Sequence, residues 1–322
     1  MILGAIFEED FLPCSYGSRP KRRAKDAVRD LRDALQCGRY GYVVEADIQG
    51  FFDTIDHQWM IRMLEQRIDD KPFLRLIKKW LKAGILEEDG KVLHPATGTP
   101  QGGVVSPILA NVYLHYALDL WWEKVGKKDS KGAVSLCRYA DDFVCLFQYK
   151  EDAERFYHAL SQRLGKFNLQ LSTEKTRIVR FSRFQAGTSF DFLGFAFRWE
   201  RSRKGKQVVK CRTSRKKLHR ALVNVTEWCR GHRSMPLKGL FRVLNAKLRG
   251  YYNYYGVIGN YDGLKAFFSQ AMHILWKWLN RRSQKRSYTW QRFEELLKRY
   301  RIERPRITDK PQTQPALSFA FR

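Results

Sequence analysis

The sequence predicts an α+β chain in two parts: a sheet-centred first two-thirds and a helical, strongly cationic remainder. Three observations carry this. β-prone apolar runs recur between helical stretches up to about residue 200, among them 42–48 and the pair 134–139 and 143–147. From Ser214 onward the apolar spacing becomes helical, with helices expected near 214–230, 236–256, 261–281 and 289–300. Charge divides at the same place. Residues 1–200 hold 30 Lys and Arg against 27 Asp and Glu, whereas 201–322 hold 30 against 6.

The first part reads as follows. A short helix and a loop lead to a helix from about Lys21 to Cys37, with Arg19, Lys21, Arg22 and Arg23 clustered at its start. The run 42–48 is a buried strand that carries Asp47 near its end. A carboxylate there must be paired, hydrogen-bonded or held by a metal, because burying a bare charge is strongly unfavourable. Asp53 and Asp56 are expected to cap a helix over about 57–68, and 72–83 shows a wide apolar helical stripe. Glu87 to Gly90 is the turn of a short hairpin. Thr99-Pro-Gln-Gly-Gly103 is a loop whose glycines permit close backbone approach to a ligand. Ser106 and Pro107 are expected as N-cap and first-turn proline of a helix reaching about Glu123, followed by a solvated charged loop over 124–131.

Runs 134–139 and 143–147 form a hairpin with Asp141 and Asp142 at its turn. Adjacent strand residues face opposite ways, so Asp141 is the primary ligand and Asp142 the auxiliary one. Asp47, Asp141 and Asp142, brought from neighbouring strands, would suit hard divalent cations that also bind phosphate oxygens. Two such ions roughly 3.5–4 Å apart serve in-line phosphoryl displacement. Beyond the hairpin a helix is expected over 151–167, then a strand pair near 169–181. A hairpin follows, pairing 190–199 with about 207–213, and an irregular tail occupies 301–322.

Composition narrows the class. With 322 residues, 44% hydrophobic and 14% aromatic, the chain is a folded protein of two or three domains. Its net charge of +27 sits mostly in a half rich in Trp, Tyr and Phe, so the cationic part is a folded module facing a polyanion, most simply nucleic acid. Six scattered cysteines without a Cys-x-x-Cys or paired histidines argue against a zinc site and a disulfide framework. They suit a reducing compartment, the cytoplasm of a prokaryote or an organelle. No secretory signal or membrane partner is expected, since apolar residues 1–7 give way at once to Glu8-Glu-Asp10.

Seven motifs in order give a resemblance. Tyr-Ala-Asp-Asp at 139–142, the Asp47 block, the 99–111 block and Ser15-Tyr-Gly-Ser-Arg-Pro20 are joined by 171–176, 190–195 and Arg249-Gly-Tyr-Tyr-Asn-Tyr-Tyr255. Together they resemble a group II intron reverse transcriptase/maturase. The resemblance implies a right-hand polymerase fold: partial fingers over 1–45, a palm over 46–200 with inserted fingers elements at about 57–105, and a helical thumb or maturase domain over 201–300. Family members carry a further stretch of fingers upstream and often a C-terminal endonuclease with Cys and His pairs, and both are expected to be missing here.

The resemblance also implies residue roles. Two Mg²⁺ ions, with Mn²⁺ as a substitute, would be held by Asp47, Asp141 and Asp142 and by the backbone at Ile48. Arg19, Arg22, Gln101 and Lys175 would meet the incoming nucleotide, and Phe52 would exclude a 2′-hydroxyl. Leu193 and Gly194 would grip the primer's 3′ end, and Tyr139 would contact nucleic acid. Arg242, Lys247, Arg249, Tyr251, Tyr252, Arg281, Arg282, Lys285 and Arg286 would bind nucleic acid. The implied partners are an RNA template, a DNA or RNA primer, deoxynucleoside triphosphates and a structured intron RNA. Two rival readings stay open: an RNA-binding splicing maturase without synthesis, and a reverse transcriptase from a defence or CRISPR locus.

Overall fold

The computed structural model describes residues 2–82, 85–86, 92–93, 97–99, 103, 105–184, 187–202, 204–282 and 287–309. The chain divides into two compact units. One comprises Met1–Leu193 with Phe197–Val209, the other Gly194–Ala196 with Lys210–Arg322.

The first unit opens with α1 (Ile2–Glu8) and α2 (Ala24–Cys37), then β1 (Tyr42–Ala46), α3 (Phe51–Thr54), α4 (His57–Leu64) and α5 (Lys71–Lys82). α2 starts later than the sequence suggests because Lys21 is left-handed at φ 60°, which no right-handed helix accommodates. Asp56 caps α4, accepting from the Gln58 and Trp59 amides at 2.8 and 2.9 Å, while Asp53 lies inside α3. The expected hairpin is present as β2 (Ile85–Leu86) paired with β3 (Val92–Leu93); its turn, 87–90, lies outside the described residues.

α6 (Ser106–Leu114) has Ser106 as its first helical residue, the cap position falling on Val105. The helix does not stop at 123. It continues through π turns at His115–Asp119 and Trp122–Gly126, so the expected charged loop begins only after Gly126.

β4 (Val134–Tyr139) and β5 (Asp142–Phe147) form the expected hairpin. α7 (Lys150–Gly165) and β6 (Arg177–Arg180) follow. The central sheet has the order β4-β5-β1-β6, with every neighbouring pair antiparallel. In place of a strand pair over 169–181, β6 pairs with β1, and Leu171 makes one bridge to Ile48. Phe143 to Phe147 are all buried, so β5 reads as a continuous apolar run rather than an alternating one. Trp122 and Phe156 meet Phe147 at 5.9 and 5.2 Å between centroids, tying the α6 extension and α7 to β5. A second sheet has the order β7 (Ser189–Phe192), β8 (Phe195–Arg201), β9 (Gln207–Thr213). Leu193 and Gly194 form its first turn, both at positive φ, as a tight two-residue hairpin requires.

The second unit contains α8 (Arg215–His232), α9 (Leu237–Tyr255), α10 (Tyr261–Leu279) and α11 (Trp290–Arg299), each bound within two residues of the span read from the sequence. Ser214 and Thr289 cap α8 and α11. Leu240, Leu244, Leu248 and Tyr252 recur every four residues on α9 and share one core with Phe268, Met272, Leu275 and Leu279 of α10. Residues 301–309 form neither helix nor strand, as expected of an irregular tail, but they are anchored. Ile302 is buried, the Glu303 amide donates to Asn245 Oδ1 at 2.9 Å, and the Thr308 and Asp309 amides both donate to the Gly256 carbonyl at 2.9 Å. No helix among the described residues is long and apolar enough to cross a membrane.

Candidate active site

Strand register brings the acids together. β1 pairs Ala46 with Phe143 on one side and Glu45 with Arg177 on the other. Continued past the end of β1, the β5 register puts Asp142 beside Asp47; on the other flank a turn over 172–176 interrupts the pairing, and Lys175 reaches Asp47 through its side chain. The backbone at Asp47 is fixed from the β6 side: its carbonyl accepts from the Ser172 amide at 2.8 Å, and the Gln49 amide donates to the Gln170 carbonyl at 2.9 Å.

Asp47 and Asp141 line one open cleft of about 280 Å³ together with Ile48, Phe52, Ser172 and Lys175. Asp142 begins β5, is exposed and does not line the cleft. Lys175 Nζ donates to Asp47 Oδ2 at 2.8 Å. This bond and the Asp47 charge raise the lysine's pKa above its usual value. Burial pushes the Asp141 carboxyl above its ordinary range, and the neighbouring Asp47 charge adds to this.

Two oxygen-donor side chains that share a cleft and repel each other suit a hard cation, which completes its shell from phosphate oxygens and water. They fit Mg²⁺ on that ground. Among the described residues no three His, Cys, Asp or Glu side chains form a ready-made metal cage; Asp47 and Asp141 share the cleft, and Asp142 follows Asp141 at the start of β5.

The floor of the cleft is set by local geometry. Gly50, left-handed at φ 52°, turns the chain from β1 into α3. Phe51 goes into the core at 2% exposure, while Phe52 is half-buried and packs edge-on against it at 5.4 Å. The segment 97–99 is tied to this floor: the Thr99 amide donates to the Phe52 carbonyl at 2.7 Å, and the Gly98 amide donates to the Ile55 carbonyl at 2.7 Å. Gly98 has φ 91°, and a Cβ there would lie 2.8 Å from the Phe52 carbonyl oxygen, so the position needs glycine. Gln101 lies outside the described residues.

The arginines expected to meet a nucleotide are engaged in structure. Arg19 is 8% exposed; it ion-pairs with Glu8 at 2.8 Å and donates to the Leu12 and Ser15 carbonyls. Arg22 donates to the Pro13 carbonyl at 2.7 Å and lies over the Tyr16 ring. Both hold the 12–16 loop; Arg19 is withdrawn from solvent, whereas Arg22 stays partly exposed. Tyr139 ends β4, half-buried and in register with Asp142.

One element of the site escaped the sequence reading. Arg138, in the residue before Tyr139, is fully buried directly behind the turn. Its Nε and Nη2 donate to Asp119 at 2.8 and 2.5 Å, and Nη2 also donates to Ser15 Oγ at 2.8 Å. Its Nη1 donates to Asn111 Oδ1 at 3.1 Å and to the Ala140 carbonyl at 2.9 Å. The Asp119 charge raises the guanidinium pKa against the opposing effect of burial. The available signal was a charged residue inside an apolar strand, the same anomaly that marks Asp47.

In the second unit, Arg242, Lys247 and Arg249 are exposed on α9. Lys238, Arg242, Asn245, Arg249 and Tyr300 line an open groove of about 620 Å³. Lys247 lies over the Trp228 ring at 5.5 Å, and Arg249 pairs with Glu303 at 3.0 Å. Tyr251 and Tyr252 are not surface stacking platforms. Tyr251 stacks on Phe267 with centroids 3.6 Å apart, and Tyr252 is fully buried, its hydroxyl donating to the Glu303 carbonyl at 3.3 Å. Arg281 lies over Trp278, and Arg282 donates to the Met235 carbonyl at 2.9 Å. Lys285 and Arg286 lie outside the described residues.

An antiparallel sheet with paired carboxylates at one end, followed by a helical unit, defines an α+β fold of the reverse-transcriptase class. Telomerase structures share that fold: the Candida albicans enzyme solved with a fragment of telomeric RNA has a TM-score of 0.50 at 13% identity, covering 93% of this chain and 54% of that one. Candida tropicalis telomerase gives 0.50 at 14% identity, covering 93% and 52%. The chain belongs to the reverse transcriptase (RNA-dependent DNA polymerase) family, which it matches over residues 2–197, and it carries a group II intron maturase-specific domain over 215–299.

Among curated relatives, Escherichia coli protein YkfC is 32% identical, covering 65% of this chain and 61% of its own length. The group II intron-encoded protein LtrA of Lactococcus lactis is 29% identical, covering 83% and 57%. The chain thus spans about three-fifths of the length of these relatives.

Proposed function

We propose that this chain is an RNA-directed DNA polymerase of the group II intron type. A primer 3′-hydroxyl would attack the α-phosphate of a deoxynucleoside triphosphate on an RNA template, and pyrophosphate would leave. The observation that carries this reading is the Asp47–Asp141 pair in one cleft beside Lys175.

Asp47 and Asp141 would hold Mg²⁺, with Mn²⁺ as a substitute, and Asp142 would add negative field from the first residue of β5. The bound ions would supply charge stabilisation for the attacking and leaving oxygens. Lys175, on the opposite flank, would move from Asp47 to the triphosphate, whose larger negative charge attracts it more strongly. Phe52 would face the sugar and disfavour a 2′-hydroxyl. The exposed cations of α9 would meet the phosphates of RNA, so affinity should fall steeply with salt.

Mg²⁺-dependent extension of a DNA primer annealed to RNA tests the reading. Expected is extension that stops when the metal is chelated. No incorporation by the wild-type chain, with tight binding to a structured intron RNA retained, would instead favour a non-synthetic maturase. The maturase-specific match over 215–299 and the cationic face of α9 support RNA binding on either reading.

A further inference from the structure

Arg138 has five N–H donors, and each meets an acceptor: two on Asp119 and one each on Ser15, Asn111 and the Ala140 carbonyl. Asp119, Ser15 and Asn111 are at most 1% exposed, so water does not compete for these bonds. The fifth acceptor is the informative one. The Ala140 carbonyl belongs to the peptide bond that carries Asp141, and Ala140 itself is left-handed at φ 55°, a conformation that residues with a Cβ rarely adopt.

Two further features converge on this turn. Asn111 and Asp119 are eight residues apart, which at about 100° per residue leaves them roughly 80° out of phase on a regular helix. The π turn at His115–Asp119 adds one residue to the turn and brings both side chains to the same guanidinium. From the other side, Ser15 bridges edge strand β4 at Arg138, and Asn111 Nδ2 donates to the Gly17 carbonyl at 2.6 Å. Gly17 lies so close to the turn that a Cβ there would sit 2.4 Å from the Ala140 nitrogen.

We infer that Arg138 is a positioning residue for Asp141: clamped by Asp119, Asn111 and Ser15, it holds the Ala140–Asp141 peptide in the left-handed turn that aims the carboxylate into the cleft. This rests on the polymerase reading only for its effect on synthesis; the placement of the turn is independent of it. A buried ion pair of purely structural use would need no bond to that carbonyl and no left-handed residue beside it.

The full chain is tested with Arg138→Lys, which keeps the charge but offers three donors for five acceptors, with Asp119→Asn, and with Gly17→Ala, which leaves the charges intact and crowds the turn. Three quantities are read: amide exchange at residues 139–142, affinity for Mn²⁺, and kcat and KM for a deoxynucleotide on an RNA template. Expected are exchange at least tenfold faster at the turn than the change at β1 amides, and Mn²⁺ affinity lower by ~10–100-fold, the usual cost of losing a group that orients a metal ligand. In the same variants kcat should fall while KM and RNA affinity stay within twofold.

Folded variants with wild-type turn exchange and Mn²⁺ affinity would overturn the inference. If Arg138→Lys and Asp119→Asn lose their fold, Gly17→Ala decides; loss of fold in all three would make the network a folding determinant and end the positioning role. A wild type that makes no DNA, with the exchange and Mn²⁺ shifts present in the variants, would remove the polymerase reading and leave this inference standing.

Discussion

The acid cleft of the first unit and the cationic face of the second use charge in opposite ways. Behind the cleft of the first unit, a charged group is taken out of water and held by named partners: Arg138 among Asp119, Asn111 and Ser15. In the second, the interior is apolar and aromatic, and the cations of α9 sit outside it on an open groove. A site of the first kind depends on geometry and fails at one substitution. A surface of the second kind depends on summed charge and should decline by degrees.

The largest expected effect is at the cleft. Asp141→Ala should lower synthesis by at least ~10²–10³-fold, the scale for removing a group that stabilises developing charge, with RNA affinity within twofold of wild type. Primer extension and filter binding on the same preparation measure both. Asp141→Asn should be equally inactive yet more heat-stable at pH 7. A carboxyl whose folded-state pKa is raised weakens the fold once pH exceeds that value, and costs nothing below its ordinary 3.8. The gain in melting temperature should therefore shrink as pH falls toward 4. An Asn variant that melts with wild type at pH 7 would show that the two acids do not strain the cleft.

The next effect sharpens the contrast from the other side. Tyr252→Ala should destabilise the second unit by ~3–5 kcal/mol, as for other large buried aromatics, whereas Tyr251→Phe should leave RNA affinity unchanged because its ring is packed on Phe267. Urea unfolding and RNA titration separate the two. A threefold loss of affinity in Tyr251→Phe would return that residue to the binding surface.

At the cleft floor, Phe52→Ala should relax discrimination against ribonucleotides by roughly tenfold, within the range set by one pocket contact. Competition between deoxy- and ribonucleotide incorporation reads this directly. The smallest steps belong to the cations: Arg242→Gln, Lys247→Gln and Arg249→Gln should each weaken RNA binding a few-fold and reduce the salt slope by ~0.7–0.9 per lost phosphate contact. One of them abolishing binding alone would break the comparison.

What the sequence alone determined was whatever depends on near neighbours. The four helices of the second unit were legible because an apolar stripe at 3.6-residue spacing is a local pattern. The β4–β5 hairpin was legible because two apolar runs flank a short polar break, and Asp47 stood out as a carboxylate ending a buried strand.

Only the tertiary structure decided which charged side chains are free to act and which are structural. Arg19 and Lys175 look alike as basic residues in motifs, yet one is buried on Glu8 and the other reaches Asp47 from the surface. Arg138 looked like a residue of the hairpin until Ser15, 123 positions away, and Asp119 were seen to close around it. Burial and pairing are set by contacts between distant segments, and a pattern of near neighbours carries no information about which segment will arrive.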